Sequence, residues 1–157
     1  MIKILLVCIG NICRSPTAHG VLQQKIIDAG LGDRVFIDSA GTAAWHIGKA
    51  PDKRSVAAAK KQGYDLSALR ARQVNENDFD EFSLILAMDN SNYQDLLDYC
   101  PDHLKDKIKL FLPFGHVATE QEVPDPYYGG AEGFSYVISL VEQASDNLVA
   151  RIQDGEL

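Results

Sequence analysis

The chain switches repeatedly between short, dense apolar runs and segments whose apolar residues return every three or four positions, and this switching constrains its fold most tightly. Ile2–Val7 is apolar almost throughout, Lys3 being the interruption, as expected of a strand buried on both faces. After Pro16, residues Ala18, Val21, Leu22, Ile26 and Ala29 recur at helical spacing until Gly30. Val35-Phe36-Ile37 reads as a second strand, and Pro51-Asp52 opens a helix running through Val56 and the Ala57–Ala59 run to Gly63. Ser83–Met88 is a third strand. Asp89-Asn90-Ser91 then offers capping side chains to a helix carrying Tyr93, Leu96 and Leu97, which ends before Pro101. Ile108–Leu112 is a fourth strand, and a last helix is expected from about Ala131 to Ile152, with Phe134, Val137, Val141, Leu148 and Ile152 on one stripe.

Strand alternating with helix predicts an α/β fold of three layers: a parallel sheet with right-handed crossovers and helices on both faces. No repeat, low-complexity tract or charge block interrupts the pattern, so residues 1–157 are read as one domain. A chain of 157 residues, 46% hydrophobic and 24% charged, has an ordinary globular composition. At that size about 70% of the unfolded surface can be buried without staples. Ligands of such sheets bind at the carboxyl ends of the strands, near the point where strand order reverses. The turn between strand one and helix one is therefore the first place to look. The second is Pro113–Gly130, long for a connection and rich in Pro and Gly.

Composition removes several function classes. Lys and Arg total 15 against 22 Asp and Glu, a net charge of −7. That balance lacks the counterion-release footprint of a nucleic-acid binder and would be repelled by anionic lipid. The N-terminal Met1-Ile2-Lys3 followed by apolar residues imitates a secretory signal. Gly10-Asn11 and Arg14 cut the run short, however, and no small-residue cleavage site follows. Its apolar stretch, Ile4–Ile9, is far below the ~20 residues of a spanning helix, so no membrane insertion is expected. Three cysteines, Cys8, Cys13 and Cys100, are too few and odd in number for a disulfide scaffold, which points to a cytoplasmic protein.

The first strand-to-helix turn reads Cys8-Ile9-Gly10-Asn11-Ile12-Cys13-Arg14-Ser15-Pro16. Gly10 and Asn11 are residue types that readily take left-handed backbone angles. A loop containing such angles turns successive N–H groups inward and forms an anion-binding nest. The helix start adds free N–H groups and partial positive charge. Arg14 can fork two donors onto two phosphate oxygens. The field that holds a phosphate dianion also favours a thiolate, so Cys8 at the floor becomes a nucleophile aimed at phosphorus. Ser15 can donate its hydroxyl to that sulfur and make it a better leaving group. Each residue alone has an ordinary structural explanation; C-x5-R-S at a strand-to-helix junction is far more specific. Cys8, Cys13 and His19 fit no common zinc spacing, and neither a metal nor another cofactor is expected.

Val7–Pro16 resembles the signature loop of the low-molecular-weight protein tyrosine phosphatases. The resemblance continues in Asp38–Thr42, Ala71-Arg72-Gln73, Met88–Asn92 and Asp125-Pro126-Tyr127-Tyr128-Gly129, in the family's order and over nearly the whole chain. It implies a four-stranded parallel sheet and metal-free, two-step hydrolysis of phosphotyrosine through a cysteinyl-phosphate. Cys8 takes the role of nucleophile, Arg14 of phosphate clamp and Asp125 of general acid. Asn11 shapes the loop, Ser15 stabilises the thiolate, and Ile9, Gly10, Ile12 and Cys13 complete the cradle. The proton donor is chemically required, because a tyrosine phenolate, conjugate pKa about 10, is a poor leaving group near neutral pH. Pro124 and Pro126 stiffen the loop around Asp125.

Trp45 and His46 fall on the family's variable loop, facing Tyr127 and Tyr128, as walls of an aromatic slot that would favour phosphotyrosine over the shorter phosphoserine. Trp45 as a core residue and a Tyr pair packed under the long loop are the alternatives. Cys13 is placed either to form a reversible disulfide shielding an oxidised Cys8 or simply as a small buried residue. His19 and Leu69 depart from residues common in the family, a carboxylate and a His. An arsenate reductase would need two more cysteines after strand three, where only Cys100 stands. A phosphoarginine phosphatase would be expected to carry Thr at position 12, where this chain has Ile12. A non-catalytic phosphotyrosine-binding module would need neither Cys8 nor Asp125. The implied partner is a tyrosine-phosphorylated protein, in a bacterium a tyrosine autokinase of polysaccharide export. With a net charge of −7, the positive potential must be local to the loop, Arg14 and the cations Lys49, Lys53 and Arg54.

Overall fold

The computed structural model describes all residues, Met1–Leu157. Four parallel strands, β1 (Ile2–Cys8), β2 (Val35–Gly41), β3 (Leu84–Ala87) and β4 (Ile108–Leu110), form one sheet in the order β2-β1-β3-β4. The central β1 is covered on both sides, and Ile4, Leu5, Leu6 and Val7 have no exposed surface. Its alternate residues feed two separate cores. Ile4, Leu6 and Cys8 face α1 (Arg14–Asp28) and the terminal helix, while Leu5 and Val7 face Phe79, Phe82, Leu96 and Cys100 on the other side. The three-layer arrangement expected from the sequence is therefore present.

On the first face, α1 and α2 (Lys53–Lys61) pack against the terminal helix α6 (Ala131–Gln153), which buries Phe134, Val137, Val141, Leu148 and Ile152 as its stripe predicts. On the second face lie α3 (Glu76–Glu81) and α4 (Asn90–Tyr99), with Cys100 buried at the end of α4. The strand β4 stops at Leu110, and Phe111–Phe114 forms α5, a single helical turn, rather than continuing extended.

Two further elements differ from the sequence expectation for clear reasons. β2 continues four residues past Ile37, because Asp38 to Gly41 pair in register with Leu5 to Cys8 and Arg72 neutralises Asp38 at 3.1 Å. α3 is not signalled by apolar periodicity, since only Asp78 and Phe79 of its six residues are buried; a capping box between Asn75 and Asp78 starts it. No helix is long and apolar enough to cross a membrane.

His19 joins α1 to β2, its Nδ1 lying 2.9 Å from Ser39 Oγ. Burial lowers its pKa against an opposing pull from Asp38, so the ring folds neutral. The unfolded chain, with His near ~6.5, takes up the proton first. The stability contributed by the neutral ring is thus complete above about pH 6.5 and declines as pH falls through the lower folded-state value. Urea unfolding between pH 7 and pH 5 should show stability dropping, with a shallower dependence in His19→Gln. An unchanged slope in that variant would place the dependence elsewhere.

Candidate active site

The sheet order places the reversal between β1 and β3, so the segments leaving these two strands diverge and open a crevice at their carboxyl ends. Cys8 ends β1, and Asp89 follows β3. Between Cys8 and α1 the chain curls tightly. Asn11 adopts a φ of 55°, the left-handed conformation that Asn tolerates better than most residues. Gly10, expected to share that geometry, does not take a positive φ. Its lack of a side chain serves packing instead: a Cβ there would sit 3.0 Å from the His46 ring.

A directed chain of hydrogen bonds ends on the sulfur. The Arg72 backbone N–H donates to Asn11 Oδ1 at 3.1 Å, which fixes the amide orientation and turns Nδ2 toward Ser15 Oγ at 2.7 Å. With that oxygen accepting from Asn11, the Ser15 hydroxyl proton is free to point at Cys8 Sγ, 3.0 Å away. The Asn11 backbone N–H also donates to the sulfur, at 3.2 Å. Cys8, Asn11 and Ser15 are all buried. Every neighbour oriented in this way presents a proton to the sulfur, an arrangement suited to thiolate.

Arg14 is 3% exposed, and a guanidinium that deep must be paired. Its NH1 donates to Asp89 Oδ2 at 2.7 Å and to the Val123 carbonyl at 3.0 Å. Burial works against the charge, but interactions with Cys8, Asp89 and Asp125 outweigh it and hold the guanidinium more firmly protonated than usual. Because both bonds use NH1, the Nε–NH2 edge is left to grip two oxygens of an anion. Asp52, Asn75 and Asp89 cap the starts of α2, α3 and α4. Cys13, at the cap position of α1, makes no side-chain cap, leaving N–H groups for an incoming anion.

Above this floor is a cavity of about 530 Å³. Cys8, Ile9, Gly10, Ile12, Cys13 and Arg14 form its base, and Trp45, His46, Asp125, Tyr127 and Tyr128 its walls; Asn11 and Ser15 support it from beneath. All the site residues expected from sequence thus converge. Trp45 is 68% exposed, which removes the core alternative for it. The rings of Tyr127 and Tyr128 meet edge to face at 4.9 Å. Asp125 is half-exposed; its carboxylate accepts the Tyr127 N–H at 3.1 Å and lies 4.0 Å from Arg14 NH2. Burial raises the Cys13 thiol to about 12, and all three cysteines are free. No group of three or more His, Cys, Asp or Glu side chains gathers as metal ligands would.

Sequence reading gives no role to several residues that build this site. Asp89, signalled only as a helix cap, also holds Arg14. Arg72 contributes through its backbone, which no side-chain pattern reveals. Gly41 is needed because β2 runs against the loop: the Thr42 and Ala43 N–H groups donate to the Cys8 and Ile9 carbonyls, both at 2.9 Å. A Cβ on Gly41 would lie 2.7 Å from Ile9 O and 3.2 Å from Asn11 N, both main-chain atoms. Gly41→Ala should therefore shift the loop and weaken inorganic phosphate binding roughly tenfold, the effect of about 1.4 kcal/mol, in a chain with unchanged circular dichroism. Undiminished affinity by calorimetry would mean the loop absorbs the methyl.

Residues 3–156 match the family model described as low molecular weight phosphotyrosine protein phosphatase. A low molecular weight phosphotyrosine protein phosphatase of Schizosaccharomyces pombe is 40% identical over 152 residues, covering 96% of this chain and 97% of its own. The Bacillus subtilis low molecular weight protein-tyrosine-phosphatase YfkJ is 37% identical over 153 residues, covering 98% and 97%. Among solved structures, a protein tyrosine phosphatase from Entamoeba histolytica with Hepes in the active site superposes with a TM-score of 0.95 at 43% identity, covering 100% of both chains. With Cys8 at the base of the cavity and the family's pattern over residues 3–156, the chain belongs to the low molecular weight phosphotyrosine protein phosphatases.

Proposed function

We propose that residues 1–157 form one catalytic domain that hydrolyses phosphotyrosine in proteins, with Cys8 as nucleophile, Arg14 as phosphate clamp and Asp125 as general acid and base. The observation that carries this reading is the set of donors converging on the buried Cys8 sulfur beneath an open aromatic cavity. The phosphate sits in the loop, its oxygens taking the backbone N–H groups and the free edge of Arg14. The Cys8 thiolate attacks phosphorus; the P–O bond to the tyrosine breaks, and Asp125 gives its proton to the departing phenolate oxygen. That leaves a cysteinyl-phosphate, free tyrosine and an ionised Asp125.

In the second step Asp125 takes a proton from water as the water oxygen attacks phosphorus, and the sulfur leaves as thiolate. The Ser15 hydroxyl stabilises that leaving sulfur. Because the cavity is walled by Trp45, His46, Tyr127 and Tyr128, a phosphate on an aromatic stem reaches the floor while its ring packs on the walls. A phosphoserine stem is too short to gain those contacts. The substrate is a phosphotyrosine on an exposed, flexible segment, and a bacterial tyrosine autokinase with a phosphorylated tail is one such protein. Free, buried cysteines suit a reducing cytoplasm as the setting.

Phosphate release from a phosphotyrosine peptide should proceed in EDTA and reductant and vanish in Cys8→Ser. Asp125→Asn should lower kcat by about 10²–10⁴-fold. No turnover by folded wild type would overturn the reading and direct the test to phosphoarginine and arsenate.

A further inference from the structure

We propose that Arg54 is a positioning residue that latches the Asp125 segment over the cavity, a role that rests on reading Asp125 as the proton donor. Arg54 does not line the cavity, and the proposed chemistry does not use it. Its guanidinium is gripped by both carboxylate oxygens of Asp52, Nε donating at 3.1 Å and NH2 at 3.0 Å, and its backbone N–H donates to the same carboxylate at 2.8 Å. The held plane contacts two rings, its Cζ lying 5.2 Å from the Tyr127 centroid and 4.8 Å from that of Phe134. Phe134 is buried in the first turn of α6, while Tyr127 follows Asp125 by two residues and donates its backbone N–H to that carboxylate.

Asp52 has a second connection. Its backbone N–H donates to the Ile12 carbonyl at 2.8 Å, so the start of α2 is fixed to the phosphate loop itself. Ile12, Asp52, Arg54 and Tyr127 therefore form a continuous path from the cradle to the acid segment. The segment needs such a tether. On its N-terminal side it is held by the Val123 N–H donating to the Met88 carbonyl at 2.8 Å and by the Val123 carbonyl accepting from Arg14. From Pro124 to Gly130 the hydrogen bonds are local ones: Tyr127 N–H to Asp125, Gly129 N–H to the Pro126 carbonyl and Gly133 N–H to the Gly130 carbonyl. Its reach to other elements is through Asp125, 4.0 Å from Arg14 NH2 and too far for a hydrogen bond, through Pro126 packed near Gly133, and through the Arg54 contact with Tyr127. The charge on Arg54 is matched by Asp52, so the residue acts by stacking a planar cation on rings rather than by adding positive potential for the phosphate.

A residue that positions the acid matters in proportion to how much the leaving group needs a proton. Arg54→Ala should lower kcat/KM for phosphotyrosine about tenfold and that for 2,4-dinitrophenyl phosphate less than twofold, because the nitrated phenolate departs unaided. Inhibition by inorganic phosphate should stay within twofold, since the cradle is intact. Arg54→Lys should not restore activity, lacking the plane that grips Asp52 and the rings. Asp52→Asn, which keeps the helix cap, should shift the same ratio in the same direction and serves if Arg54→Ala folds poorly. Asp125→Asn is run beside them. A normal substrate ratio in Arg54→Ala and Asp52→Asn, with a steep one in Asp125→Asn, overturns the latch and leaves the proton-donor reading standing. Equal losses on both substrates in Asp125→Asn overturn that reading and the latch with it.

Discussion

The site depends on a hydrogen-bond chain with one possible direction. It begins at a backbone N–H, that of Arg72, which can only donate, and so each later donor is aimed at the Cys8 sulfur. That starting point is itself held by charge. The Arg72 guanidinium meets Asp38 of β2 at 3.1 Å and Asp78 of α3 at 2.9 Å, and Asp78 also closes the capping box that starts α3. A six-residue helix that does not line the cavity thus helps fix the orientation of an amide at its floor. The Arg14–Asp89 pair is the less forgiving one: the Arg14 side chain is almost fully buried, and removing the partner of a buried charge costs about 3–5 kcal/mol.

Anion binding by a chain of net charge −7 follows from scale. At physiological salt, exposed charges are screened beyond about 8 Å, so carboxylates scattered over the surface contribute little at the bottom of a cavity. What acts there is close and fixed: backbone N–H groups of the loop, the uncapped start of α1 and the buried Arg14. Arg54, one of the cations expected to supply local potential, is engaged by Asp52 and turned against two rings. The local field is therefore built more from oriented donors than from net charge.

Much of the architecture was legible because apolar pattern tracks burial. β1, α1 and α6 follow from runs and stripes that are buried almost throughout, and α4 buries Leu96 with Tyr93 and Leu97 half-buried beside it. The failures have a common cause. α3 hides its helical nature in polar residues whose reason is capping and ion pairing, and β2 extends through Asp38 and Ser39 because a partner strand and Arg72 satisfy them. Gly10 looks like a turn glycine and is a packing glycine, since only the neighbouring loop reveals that His46 lies over it.

By itself the sequence determined the local cluster: Cys8, Arg14 and Ser15 lie within one turn, and covalent spacing alone keeps them within reach of a common anion. It also determined the alternating layers, because periodicity is a property of short segments. Tertiary structure decided everything that joins distant segments. Asp89, the Val123 carbonyl and Asp125 reach the site from parts of the chain on the β3 side of the reversal between β1 and β3, and the Arg72 N–H arrives beside Gly41 at the end of β2. The motif around Asp125 names that residue in advance, but its place beside Arg14, like the pairings made by main-chain atoms and by Asp89, is set by proximity in space.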